Sequence, residues 1–135
     1  MTKPVVLFAC VHNAGRSQMA AGFARHHAGD AVEVLSGGSA PADAVNPAAV
    51  EAMAEVGIDI AGETPRRWAD ADVERADVVV TMGCGDECPF FPGTRYEDWE
   101  VPDPTGLPIE AVRPIRNEIE RRVKGLLEDL GAVRR

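Results

Sequence analysis

Hydrophobic and polar positions along the chain alternate between two rhythms. Lys3 to Cys10 (KPVVLFAC) is a nearly unbroken apolar run of strand length, the pattern of a central parallel strand covered on both faces. Ser17 to His27 follows with helical composition, placing Met19, Ala20, Phe23 and Ala24 on one face. Val32 to Leu35 predicts a second short strand, ended by the loop Ser36 to Pro41. Asn46-Pro47 opens a helix, with asparagine as cap and proline at the first helical position; its apolar face is Ala49, Val50, Met53, Ala54 and Val56, and Gly57 stops it. Arg66 to Arg75 predicts a short helix and Asp77 to Met82 (DVVVTM) a third strand. Gly83 to Pro92 is expected as a loop and Arg95 to Glu100 as a fourth strand. A long amphipathic helix from about Pro108 to Leu130 closes the order, with Val112, Ile115, Ile119, Val123, Leu126, Leu127 and Leu130 inward and a kink or later start at Pro114. Strands alternating with helices predict an α/β fold, a small parallel sheet flanked by helices on both faces.

Composition narrows what such a fold does. A length of 135 residues predicts one domain spanning 1–135, without repeats or linkers. Apolar residues at 45% and charged residues at 27% exclude a disordered chain. Fourteen basic against 22 acidic side chains leave a net charge of -8, which argues against nucleic-acid binding. An anionic substrate must then be held by local attraction against the overall field. The longest apolar runs, such as Val5 to Val11, fall far short of the roughly 20 residues that span a bilayer, so no membrane association is expected. The start, Met1-Thr2-Lys3-Pro4, does not read as an export signal, and the expected compartment is cytoplasmic.

The chemistry gathers at strand ends. Ligands on parallel sheets sit beyond the carboxyl ends of the strands, and all three cysteines, Cys10, Cys84 and Cys88, fall there. Cys10-Val11-His12-Asn13-Ala14-Gly15-Arg16-Ser17 runs from strand to helix, a path on which backbone N–H groups converge at an electropositive point. Arg16 can bring its planar fork over that point and hold two oxygens of a tetrahedral oxyanion. Gly15 is expected to relieve the curl, Asn13 to tie loop carbonyls together, and Ser17 to donate to the Cys10 sulfur. Such surroundings favour a thiolate nucleophile aimed at the bound oxyanion. The bland alternative, a buried cysteine beside a surface arginine, fits the strand-to-helix junction less well.

Here the chain resembles the low-molecular-weight protein tyrosine phosphatase superfamily and, within it, the arsenate reductases of that fold. The similar stretches are CVHNAGRSQMA (10–20), SGG (36–38), VNP (45–47), EVGIDI (55–60), DVVVTM (77–82), Asp103-Pro104 and RNEIERRV from Arg116. They cover essentially the whole chain in order. The resemblance implies a four-stranded parallel sheet, Cys10 as nucleophile, Arg16 as oxyanion clamp, residues Val11 to Ser17 as the oxyanion cradle, and Asp103 as general acid. Alone, Asp103-Pro104 in its proline- and glycine-rich stretch reads as a turn.

Cys84 and Cys88 stand in Gly83-Cys84-Gly85-Asp86-Glu87-Cys88-Pro89. Two cysteines alone make a poor zinc site, so no metal is expected. Tyrosine phosphatases of the fold do not need this pair, whereas thioredoxin-coupled arsenate reductases do. The resemblance therefore implies arsenate reduction through a Cys10–arsenic adduct and a Cys10/Cys84/Cys88 disulfide relay. No tightly bound cofactor is implied, only an external thiol reductant: thioredoxin or a mycoredoxin-type protein, or a small thiol such as mycothiol. Many thioredoxin-coupled relatives place more residues between the last two cysteines than Gly85, Asp86 and Glu87. Some also carry a glutamate near a structural potassium ion where this chain has Ala21, so no such ion is carried over.

Two other functions use the same residues. A tyrosine or small-ester phosphatase would employ Cys10, Arg16 and Asp103, but the aromatic residues that usually flank its substrate ring are replaced here by Thr105-Gly106-Leu107. A non-catalytic arsenite sensor would use three thiols as soft ligands, yet the charge of -8 gives it no DNA-reading face.

Overall fold

The computed structural model describes residues 3–83 and 92–132. Cys84, Cys88 and most of the loop expected at 83–92 lie outside the described residues. Four strands, β1 (Val5–Cys10), β2 (Glu33–Gly38), β3 (Val78–Met82) and β4 (Arg95–Asp98), form one sheet in the order β2-β1-β3-β4. Every pairing is parallel. Helix α1 (Arg16–Ala28) connects β1 to β2, while α2 (Pro47–Ala54) and α3 (Asp70–Arg75) lie between β2 and β3. Helix α4 (Ile109–Asp129) follows β4.

β1 is buried along its whole length, as its unbroken apolar run requires. Its side chains alternate between two cores. Val6, Phe8 and Cys10 meet Met19 and Phe23 of α1, Met53 of α2 and the stripe of α4. Leu7 and Ala9 face a smaller core built around Trp68, Val73 and Val79. Both faces are covered as expected, but unevenly, with α1, α2 and α4 on one side and α3 on the other. Burying each large apolar side chain contributes about 1.5–3 kcal/mol. No helix among the described residues is long and apolar enough to cross a membrane.

Several boundaries differ from the sequence expectation. β2 runs on through Ser36, Gly37 and Gly38, which the sequence reads as loop. These glycines serve close approach: a Cβ on Gly37 would lie 2.6 Å from the Trp68 backbone nitrogen, and one on Gly38 would lie 2.6 Å from the Val11 oxygen. The helix expected from Arg66 begins only at Asp70. Upstream, Arg67 bridges to Gly38 as extended chain, and the Gly38 N–H donates to the Arg66 oxygen at 2.8 Å. On α2 the Asn46 side chain accepts from the Ala48 N–H as expected. The buried face, however, is Ala49, Ala52 and Met53, while Ala54 and Val56 are exposed. A closing turn explains this: Gly57 and Ile58 donate back to Ala54 and Met53, each at 3.0 Å, so the chain leaves the core before Val56. β4 ends at Asp98, and α4 accepts Pro114 within its first turns, where only the bond to the Glu110 carbonyl is lost.

Candidate active site

Beyond β1 the backbone curls through residues 11–15 and enters α1. Asn13 is the one described non-glycine residue with positive φ, at 50°, a conformation that asparagine tolerates better than most. The curl turns its carbonyls outward. Ser39 donates to the Cys10 oxygen at 3.1 Å, Ala40 to Val11 at 2.8 Å, Ala42 to His12 at 3.0 Å and Asn46 to Ala14 at 2.9 Å. Among the described residues, no N–H from His12 to Ser17 finds an acceptor, and α1 has no side-chain cap. Unpaired N–H donors at a helix N-terminus can hold an anion.

Cys10 is buried and free, with its Sγ 2.9 Å from Ser17 Oγ. The Arg16 side chain is held from two sides: one terminal nitrogen donates to the Val101 oxygen at 3.3 Å, and the other lies 3.7 Å from Asp103 Oδ2. Gly83, at φ 84°, makes room for it, because a Cβ there would fall 2.3 Å from an Arg16 terminal nitrogen. Asp103 Oδ1 accepts from the Thr105 N–H at 3.0 Å and the Thr105 hydroxyl at 2.7 Å. Partial burial pushes the Asp103 pKa up, but the two Thr105 hydrogen bonds and the charges of Arg16 and His12 outweigh it. The carboxyl is held below the usual aspartate value.

Cys10 thus meets Ser17, and Arg16 meets Asp103. Two roles change. Asn13 does not tie loop carbonyls, which the segment after β2 holds. Its Nδ2 donates to Ser17 Oγ at 2.7 Å, and its Oδ1 accepts from Gln18 Nε2 at 3.2 Å and the Arg66 N–H at 3.0 Å. Gly15 serves less the curl than the neighbouring loop, since a Cβ on it would lie 2.8 Å from Pro104 Cγ. Nothing in the sequence marks Val101, Thr105 or Gln18 as supports, and only the position of Gly83 directly after β3 hints at its role. Glu97 and Asp98 are tied to the sheet, by Trp99 Nε1 at 3.0 Å and by the Thr81 hydroxyl at 2.9 Å. Ala21, where some relatives carry a glutamate, is fully buried, and its side chain has no oxygen to offer an ion.

Residues 5–135 match the family described as low molecular weight phosphotyrosine protein phosphatase. The chain belongs to that family. Within it, the chain is 42% identical over 127 residues to a putative arsenate reductase of Halobacterium salinarum, covering 90% of this chain and 89% of that protein. It is 37% identical to a glutaredoxin arsenate reductase of Synechocystis, over 90% of this chain and 95% of that one. Among solved structures of this phosphatase fold, a thioredoxin-dependent arsenate reductase of Corynebacterium glutamicum superposes with a TM-score of 0.85 at 42% identity. That match covers 96% of this chain and 62% of the other, so this chain spans about three fifths of its length.

Proposed function

We propose that this chain reduces arsenate to arsenite, with Cys10 as nucleophile and an external thiol reductant closing the cycle. One observation carries the chemistry: buried Cys10 ends β1 at the head of a loop whose N–H groups, from His12 to Ser17, find no acceptor among the described residues, and its Sγ lies 2.9 Å from Ser17 Oγ at the start of α1. The relatives named above support arsenate as the oxyanion.

Bound arsenate draws charge from Arg16 and places its own negative charge beside Asp103, which favours protonation of that carboxyl. The Cys10 thiolate forms the S–As bond while Asp103 gives its proton to the departing oxygen, which leaves as water. Cys84 thiolate then attacks the Cys10 sulfur. The S–As bond breaks, its electron pair stays on arsenic, and arsenite leaves as a Cys10–Cys84 disulfide forms. Cys88 attacks Cys84 next, which frees Cys10 and leaves a Cys84–Cys88 disulfide for the reductant. Thioredoxin fits a three-cysteine relay best; a mycoredoxin-type protein or mycothiol would serve if arsenic were passed on as an adduct. Cys10, Arg16 and Asp103 suit phosphate esters too, but phosphorus held the same way is not reduced.

Arsenate and para-nitrophenyl phosphate supplied in parallel, with thioredoxin recycling or small thiols, separate these chemistries. Cys10→Ser abolishes both activities. Cys84→Ser and Cys88→Ser stop multiple-turnover arsenate reduction with thioredoxin but spare ester hydrolysis. Cys88→Ser completes one turnover and accumulates a Cys10–Cys84 disulfide, detectable by peptide mapping. Arsenate reduction surviving in Cys10→Ser sinks the proposal, and normal cycling of Cys88→Ser with thioredoxin removes Cys88 from the relay.

A further inference from the structure

Gln18, in the first turn of α1, is 2% exposed, and its side-chain hydrogen bond goes to Asn13 rather than to Cys10. Its Nε2 donates to Asn13 Oδ1, while its Oε1 is the one buried side-chain oxygen or nitrogen among the described residues without a partner. Turning the amide over would place Oε1 against Asn13 Oδ1, oxygen facing oxygen. The side chain therefore keeps its donor on Asn13 and leaves its own oxygen orphaned. Burying such a group is unfavourable, and its persistence calls for a reason other than stability.

The hydrogen-bond directions supply one. The Arg66 N–H can only donate, so Asn13 presents its oxygen to Arg66 and Gln18 and its Nδ2 to Ser17. Ser17 Oγ accepts that proton, which leaves its own hydroxyl proton for the Cys10 sulfur 2.9 Å away. Each donor in a chain strengthens the next by polarising it. From this geometry we infer that Gln18 is a positioning residue for the nucleophile: it acts through Asn13 and Ser17 to hold a donated proton on Cys10 Sγ and so favours the thiolate. This rests on Cys10 as nucleophile but not on arsenate as substrate.

The test is Gln18→Met, which keeps the volume, removes the orphan oxygen and deletes the donor. Cys10 alkylation by iodoacetamide is followed from pH 6 to 9.5 by peptide mapping, which separates it from Cys84 and Cys88. The charged groups around Cys10, namely Arg16, His12 and Asp103, are the same in both proteins. The expected result is a melting temperature equal to or above the parent's, with Cys10 alkylation about threefold slower at pH 6.5 and converging by pH 9.5. Superimposable pH profiles in a folded variant would overturn the inference, leaving Gln18 as core packing. A variant that fails to fold, or that melts earlier with superimposable pH profiles, overturns it too, because Gln18 then serves packing alone. Cys10 inert in both proteins would instead remove the nucleophile itself, independently of arsenate turnover.

Discussion

A single methyl group at Gly83 tests how the arginine clamp is built. Gly83→Ala places a Cβ where an Arg16 nitrogen now lies and also strains a φ of 84°. Arg16 must leave the Val101 carbonyl, and kcat/KM for arsenate is expected to fall about a hundredfold, as for loss of an oxyanion donor. Arg16→Lys gives a comparable loss, because a point charge does not replace a bidentate fork. Wild-type kinetics in Gly83→Ala would show that the arginine works from another place. At Asp103 the sign follows from the lowered pKa: the resting carboxyl is ionised at neutral pH, and only its protonated form can act as acid. Single-turnover adduct formation should slow as pH rises in the parent, and Asp103→Asn should be about a hundredfold slower and flat with pH. An equally steep profile in Asp103→Asn would assign the acid to another group. Cys10 and Arg16 could be singled out because they belong to one short stretch of chain. Gly83, Val101 and Thr105 could not, because their roles exist only once separate stretches of chain meet.

Among the elements, those with strong apolar rhythm were legible and those set by close approach were not. The α4 stripe from Val112 to Leu127 is buried as its spacing predicts, and only Leu130 remains partly exposed. The run 36–38 reads as a turn because glycine and serine mark turns, yet the crowding of Trp68 and Val11 makes it strand. Helices α2 and α4 are joined at Glu55, which accepts from Arg113 Nε at 3.0 Å and from an Arg116 terminal nitrogen at 2.8 Å. The hydrogen bond from Arg113, followed by that from Arg116, lowers the Glu55 pKa from 4.5 to about 2. Its contribution is therefore complete above the ordinary glutamate value and is lost as pH falls through the lowered one. Comparing melting temperatures of Glu55→Gln and the parent, the gap should be present at pH 7 and shrink between pH 4.5 and about 2. A gap that widens on acidification would contradict the assignment.

For the whole molecule, sequence alternation was enough to give a parallel sheet covered on both sides, but the strand order needed the long-range pairings of β1 with β2 and β3. Those pairings bring the segment after β2 alongside the end of β1 and the curl, where it holds the Cys10 carbonyl and three of the curl's own. The β1–α1 stretch cannot keep its N–H groups pointing inward alone; it needs chain about thirty residues away to be in place. The anion cradle is therefore a property of the completed fold, and an anion that binds it acts as a folding ligand. Phosphate at about a hundred times its dissociation constant should add about 2.7 kcal/mol to the stability of the native state. Cys10→Ser should keep that increment, because the cradle remains. Gly38→Ala, whose new Cβ would press on the Val11 oxygen, should lose most of it. By mass action, then, an oxyanion bound in the cradle would shift the folding equilibrium toward the native state before any turnover.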